Sequence, residues 1–170
     1  AGGGDAVKLY GITGWKNSGK TGLVERLVAE IAGRGYSVST IKHAHHSFDV
    51  DHPGRDSYRH REAGASEVIL ASRKRVAQMT ELRGAPEPEL DDLLARLRPV
   101  DLVLVEGYKR ARHPKLECHR VETGKGLIAS EDDTIRAVAS DTSMSLHVPV
   151  FNLDDTIRIA DFILGEVGLD

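Results

Sequence analysis

A three-layer α/β fold with a mainly parallel sheet is predicted by three features of the sequence. Short apolar runs alternate with stretches of helical spacing along most of the chain. One run, at 100–105, is nearly all apolar, as expected of a strand covered on both faces. A glycine-rich turn joins the first run to the first helical stretch. At 170 residues the chain is long enough for one well-cored domain. The opening Ala1-Gly2-Gly3-Gly4 reads as a flexible lead or a cloning remnant over residues 1–6, leaving 7–170 as a single domain.

The elements follow in order. Residues 7–13 read as a strand closed by Gly14. Leu23, Leu27 and Ile31 recur at four-residue steps beside Val24 and Val28, so 20–31 is a helix, ended by Gly33 and Gly35. A strand at 36–42 is followed by a polar, His-rich loop. A short helix at 56–63 is capped by Asp56 and stopped by Gly64. Strands at 68–70 and 76–80 flank the basic turn Arg73-Lys74-Arg75, which adds antiparallel strands to the sheet. A helix at 86–97 has Pro near its start and Pro99 beyond its end. The buried strand at 100–105, strands at 115–120, 135–139 and 148–151, and an amphipathic helix at 155–167 complete the chain.

Composition narrows the function. Lys plus Arg is 23 against 26 for Asp plus Glu, a net charge of −3, which argues against a uniformly basic nucleic-acid coat. A lone cysteine, Cys118, makes neither an internal disulfide nor a Cys-only zinc site and fits a reducing compartment, hence a cytoplasmic location. No apolar run approaches the roughly 18–20 residues that span a bilayer, so no membrane association is expected.

Gly14-Trp15-Lys16-Asn17-Ser18-Gly19-Lys20-Thr21, followed by Gly22, fits G-x-x-x-x-G-K-[ST]. Glycines let the backbone turn tightly and aim successive N–H groups at phosphate oxygens. The helix that follows points its positive end at the same anion. Lys20 brings a full charge toward the β- and γ-phosphates, and Thr21 offers a hydroxyl to Mg²⁺. This makes the α/β fold a P-loop NTPase fold.

Such a site takes a second, metal-side acid from a neighbouring strand. Asp101 and Glu106 bracket the apolar run, about 16 Å apart at 3.3 Å per residue, so both cannot serve one metal. Ligands gather at the carboxyl ends of parallel strands. That selects Glu106, as metal ligand or water-orienting group, and leaves Asp101 a structural role at the far edge.

The loop after the second strand emerges at the same edge and holds His43, His45, His46 and His52. Three readings stand side by side: transition-metal binding, contact with phosphate or substrate, and a solvated loop. Asp49 and Asp51 are candidate Mg²⁺ ligands or a nucleotide-sensing switch, or part of a plain turn through Pro53-Gly54. Arg55 and Ser57 open a helix whose start is a further anion candidate. At the base-reading end, Asp141 follows a strand and has the acceptor pair that guanine N1–H and N2–H₂ require. Asn152 is a second candidate base contact, with Asp154 reading as the cap of the last helix. N-K-x-D itself is absent. Trp15 either stacks on a ligand or covers the loop. Cys118 reads as packing.

Taken together, residues 14–21, Ile41-Lys42-His43-Ala44-His45-His46, Asp51-His52-Pro53-Gly54-Arg55-Asp56-Ser57, Met79-Thr80-Glu81 and Leu104-Val105-Glu106-Gly107-Tyr108-Lys109 resemble the molybdopterin-guanine dinucleotide biosynthesis protein B family over nearly the whole chain. The resemblance implies a fold related to the signal-recognition and nitrogenase-iron-protein class of NTPases. It implies GTP and Mg²⁺ as ligands, weak hydrolysis, and a homodimer formed through an extended sheet. It further implies an adapter role beside the guanylyltransferase that attaches GMP to molybdopterin, the pterin itself being a possible bound ligand. Carried over, residues 17–21 bind phosphates and Mg²⁺, Glu106 belongs with them, and His43, His45, His46, Arg55 and Ser57 form a candidate pterin or phosphate surface. One departure is plain. Many members of the wider class carry a lysine just after the first loop glycine. Here that residue is Trp15, with Lys16 one step later, which puts a cross-dimer lysine mechanism in question. The competing readings are a nickel-type GTPase metallochaperone using the histidines, a small-metabolite kinase, and a scaffold that holds GTP unhydrolysed.

Overall fold

The computed structural model of the chain describes residues 7–44 and 56–170. In chain order its elements are β1 (Leu9–Thr13), α1 (Lys20–Gly33), β2 (Val38–Lys42), α2 (Asp56–Ala63), β3 (Glu67–Ala71), β4 (Val76–Thr80), α3 (Leu90–Leu94), β5 (Leu102–Glu106), β6 (Lys115–His119), β7 (Ile135–Ser140), β8 (Val150–Asn152) and α4 (Thr156–Val167). They fall into two compact units, Ala1–His43 with Leu90–Asp170, and Ala44–Glu89.

In the larger unit six strands form one sheet in the order β2-β5-β1-β6-β7-β8, and every pairing is parallel. All six carboxyl ends therefore lie along one edge. Alternation along the strands sorts side chains to two faces. Tyr10, Ile12, Leu104, Leu116, Cys118 and Ala137 join Leu23, Leu27 and Ile31 of α1 and Ile159, Ile163 and Leu164 of α4 in one apolar core. The sequence spacing of α1 meets its purpose here: the four-residue steps put those three side chains on the buried stripe. A smaller cluster of Ala129, Ile135 and Val138 takes Leu127, Met144 and Leu146 against it.

Where the chain differs from the sequence expectation, local chemistry explains it. The helix expected over 86–97 is only Leu90–Leu94. Pro88 restricts Glu87 to extended backbone and delays the start. At the other end Arg96 and Leu97 bond back three residues, to Leu93 and Leu94, a tightened turn rather than a continuing α-helix. The cap of α4 is Asp155, whose carboxylate accepts from Arg158 N–H at 3.2 Å, not Asp154. Asp154 instead gives its own N–H to Asn152 Oδ1 at 2.8 Å, in an Asx turn.

In the smaller unit β3 and β4 pair antiparallel, from Glu67 opposite Thr80 to Ala71 opposite Val76. They form a two-stranded sheet of their own, with no ladder to the large one among the described residues. Ser72 closes the turn by accepting the N–H groups of Lys74 and Arg75 on its hydroxyl. Arg61 of α2 bonds Glu81 at 3.0 Å. Gly64, at φ +117°, ends α2 as the sequence expects. The side chain of Asp56 lies outside the description. Ile69 and Val76 are 62% and 65% exposed.

Candidate functional site

β1 enters the loop at Thr13 and α1 leaves it at Lys20, so residues 14–19 span the carboxyl edge beside the middle of the sheet. Both ends of the loop require glycine. Gly14 has φ +145°, and a Cβ there would lie 2.6 Å from the Cys118 carbonyl oxygen and from Ser18 Oγ. Gly19 has φ +96°. Between them Asn17 takes φ +65°, a conformation Asn tolerates better than most residues. Gly22 has room for a side chain, its nearest neighbour being an Arg26 nitrogen 3.4 Å from the Cβ position.

The loop is short of partners for two hydroxyls. Thr13 Oγ1 and Ser18 Oγ are buried with no hydrogen-bond partner among the described residues. An orphaned buried hydroxyl costs about 1–3 kcal/mol, and an anion seated in the loop would relieve both. Lys20 Nζ folds back on the Gly14 carbonyl at 2.7 Å. Burial holds its ammonium below the usual lysine range, with Glu106 pulling the other way. An anionic oxygen is a better acceptor for that ammonium than a carbonyl.

Glu106, 6% exposed, ends β5 next to the loop. Thr21 Oγ1 donates to its Oε1 at 2.8 Å, and Lys42 Nζ stands 3.6 Å from its Oε2. Two hard oxygens this close match adjacent corners of an Mg²⁺ octahedron, about 3.0 Å apart when each ligand is about 2.1 Å from the ion. The donor set therefore fits Mg²⁺. Asp101 sits at the opposite edge, where its Oδ2 accepts from Ser37 N–H at 2.8 Å and its own N–H bonds Ser37 Oγ at 2.8 Å.

Asp141 follows β7 and Asn152 ends β8, on the far side of β1 from Glu106. Both are exposed. Asp141 Oδ1 accepts from Val121 N–H at 3.1 Å. Ser140 pairs with Asn152, so the two candidates stand on adjacent strands. Lys16 is exposed. Trp15 is 38% exposed and anchored, its Nε1–H donating to the Gly126 carbonyl at 3.0 Å. Cys118 is buried in the core, and burial pushes its thiol up to about 12.

His43 follows β2, and its ring packs on Tyr108 at 4.8 Å. Ser57, in the smaller unit, is 2% exposed. His45, His46, Asp49, Asp51, His52 and Arg55 lie outside the described residues. Among the described residues no three His, Cys, Asp or Glu side chains cluster to hold a metal ion, and no helix is long and apolar enough to cross a membrane.

Sequence reasoning gives no site role to three side chains at this edge, although Lys109 lies in a segment that carries the family resemblance. The guanidinium of Arg120, just beyond β6, lies 3.1 Å from where a Cβ on Gly19 would stand. Lys109 Nζ is 4.0 Å from the centre of the Trp15 ring. Arg26 ties α1 to the end of β8 through the Leu153 carbonyl at 2.9 Å. None belongs to the loop motif. They are recognisable only once the strand order brings them to it. A cavity of about 580 Å³ opens beside the loop, lined by Trp15, Lys109, Arg112, Gly126 and Ile128 among others.

Comparison with known proteins gives one consistent result. The model of the family "molybdopterin guanine dinucleotide synthesis protein B" matches residues 9–141. The molybdopterin-guanine dinucleotide biosynthesis adapter protein of Haemophilus influenzae is 43% identical over 92% of this chain and 88% of its own length. That of Escherichia coli is 38% identical over 93% and 92%. The crystal structure of a MobB protein homolog from Bacillus stearothermophilus superposes with a TM-score of 0.70 at 31% identity, covering 95% of this chain and 99% of that one.

Proposed function

This chain belongs to the molybdopterin guanine dinucleotide synthesis protein B family, and from that premise we propose that it is an adapter in molybdopterin-guanine dinucleotide biosynthesis that binds GTP with Mg²⁺ at residues 14–22. The observation that carries the nucleotide reading is the pair of orphaned hydroxyls, Thr13 Oγ1 and Ser18 Oγ, beneath a loop that only glycine can close. Lys20, released from the Gly14 carbonyl, binds the β- and γ-phosphates. Thr21 and Glu106 hold the metal, which when bound neutralises phosphate charge. Asp141 accepts from the guanine edge, with Asn152 beside it.

Glu106 is engaged by Thr21 and Lys42 rather than poised to take a proton from water, which supports slow hydrolysis and an adapter's role. The partner is the guanylyltransferase that attaches GMP to molybdopterin, in the cytoplasm. The exposed Ile69 and Val76 of the two-stranded sheet support self-association through that sheet. His43, the histidines of the following loop and Arg55 remain individually proposed contacts for pterin or phosphate; Ser57, 2% exposed, is not among them.

Calorimetric titration with GTP and ATP in the presence of Mg²⁺ tests this reading. Saturable GTP binding is expected, lost by several kcal/mol in Lys20→Ala, with Asp141→Asn relaxing the preference for GTP over ATP. A folded Lys20→Ala variant with unchanged affinity contradicts the loop assignment. An unchanged GTP preference in Asp141→Asn moves the base pocket elsewhere.

A further inference from the structure

The segment after β5 takes an unusual path. Gly107 and Tyr108 are both left-handed, at φ +95° and +54°. A left-handed tyrosine is strained backbone, and it is braced by packing: the Tyr108 ring rests on His43 at 4.8 Å, and a Cβ on Gly107 would lie 3.1 Å from that of His43. The product of this turn is the position of Lys109. Its Nζ lies over the Trp15 ring, 4.0 Å from the centre, and the indole is itself pinned by its bond to Gly126. A cation is thus parked on the second residue of the phosphate loop.

Lys109 is half-buried there, and burial together with the nearby Lys20 charge lowers the ammonium below its usual range. Lys109, on the Trp15 ring, feels the charge of Lys20, on the Gly14 carbonyl of the same loop, a repulsion that an anion would reverse. The backbone of Lys109 follows β5, but its ammonium reaches across to Trp15 and the Gly126 segment, where it feels the charge of Lys20. A phosphate drawn to Lys20 therefore comes within the influence of Lys109 as well.

We propose that Lys109 is a second phosphate-binding cation, moving from the Trp15 ring onto the terminal phosphate and making the site select nucleoside triphosphate over diphosphate. This rests on the nucleotide reading above. Trp15 is the positioning residue, keeping the ammonium ordered until the phosphate arrives.

The chain contains one tryptophan and four tyrosines, so emission excited at wavelengths that tyrosine does not absorb reports on Trp15 alone. The intact protein is titrated with the β,γ-imido analogue of GTP and separately with GDP, both with Mg²⁺. Both nucleotides would bind at the loop that holds Trp15, so the triphosphate analogue is expected to shift the emission beyond whatever change GDP produces. Calorimetry on Lys109→Met is expected to show at least about a tenfold loss of triphosphate affinity with GDP affinity held within about twofold. Lys109→Arg, which keeps the charge, should recover most of the loss. If the methionine variant does not fold, Lys109→Gln decides in the same way. An unchanged ratio of triphosphate to diphosphate affinity in the folded variant overturns the role of Lys109 and leaves the nucleotide reading standing. No saturable binding of either nucleotide to the unaltered protein overturns both.

Discussion

The two faces of the six-stranded sheet differ most in what β1 and β6 present to them. Under α1 and α4 the strands present Tyr10, Ile12, Leu104 and Leu116, all fully buried. On the other face β5 presents Val103 and Val105, and Ile135 and Val138 form the smaller apolar cluster, but β1 and β6 present Gly11, Lys115 and Glu117 there, and Lys115 and Glu117 are also fully buried. Lys115 Nζ donates to the carbonyls of Ala111 and His113 and to Thr134 Oγ1. Glu117 accepts the N–H groups of Ile128 and Ala129, each at 2.8 Å. Burial raises the Glu117 carboxyl above its usual range, and those two bonds pull it back. One face gains stability from apolar area, without reference to what the edge does. The other spends two buried charges to fix irregular chain, and the segments fixed are those that carry Lys109 and Gly126 to the phosphate loop. The buried charges thus brace the segments beside the glycine loop, and the apolar face packs α1 and α4.

That contrast breaks most visibly at Leu116. Leu116→Ala opens a cavity in the apolar core and should cost about 3 kcal/mol in urea unfolding, with nucleotide affinity of the folded fraction unchanged. A loss of affinity without loss of stability would erase the division between faces.

Gly11 probes the other face with a smaller effect. A Cβ there would lie 2.5 Å from His113 Nε2 and 2.9 Å from Lys115 Cγ. Gly11→Ala should destabilise by about 2 kcal/mol through overpacking. Adding His113→Ala in the same molecule should restore much of that, a coupling readable in a double-mutant cycle. Additive losses would show that His113 does not cap Gly11.

The smallest effect sharpens the picture through pH. His113 is depressed to about 4, first by burial and then by Lys115, with Asp132 opposing. Its ring nitrogens have no hydrogen-bond partner among the described residues. Between about 6.5 and about 4 the unfolded chain takes up a proton at this residue that the folded chain refuses, so the stability contributed by the neutral ring is lost as pH falls. For a partly solvated side chain this is about 1–2 kcal/mol. His113→Phe keeps the ring without the titration. It should match the unaltered protein at pH 7 and exceed it at pH 4.5 in thermal melts. Glu117 carries the opposite sign, since a raised carboxyl penalises the folded state less as it protonates, and it acts equally in both proteins. Parallel pH profiles would remove His113 from the account.

How much of this could be read in the sequence follows from where the information lies. The place of the glycine loop between β1 and α1 is legible because the motif fixes residue types at fixed spacing. Glu106 is legible because strand polarity decides between it and Asp101, and Asp101 does bond Ser37 at the other edge. The shortened α3 and the cap at Asp155 turn on single-residue backbone constraints that periodicity averages over. Lys115 and Glu117 are illegible for a different reason. A strand alternating charged and apolar residues reads as half-solvated, and only the strand order, with β6 between β1 and β7, reveals that both faces are covered. Lys109 and Arg120 reach the loop by the same tertiary route.

The most direct measurement is a crystal structure of the chain with GTP and Mg²⁺. The expected result has β- and γ-phosphate oxygens about 3 Å from the backbone N–H groups of residues 17–21, with Lys20 Nζ turned from the Gly14 carbonyl onto phosphate. GTP bound elsewhere, with Lys20 still on that carbonyl, would contradict the assignment of this loop as the nucleotide site.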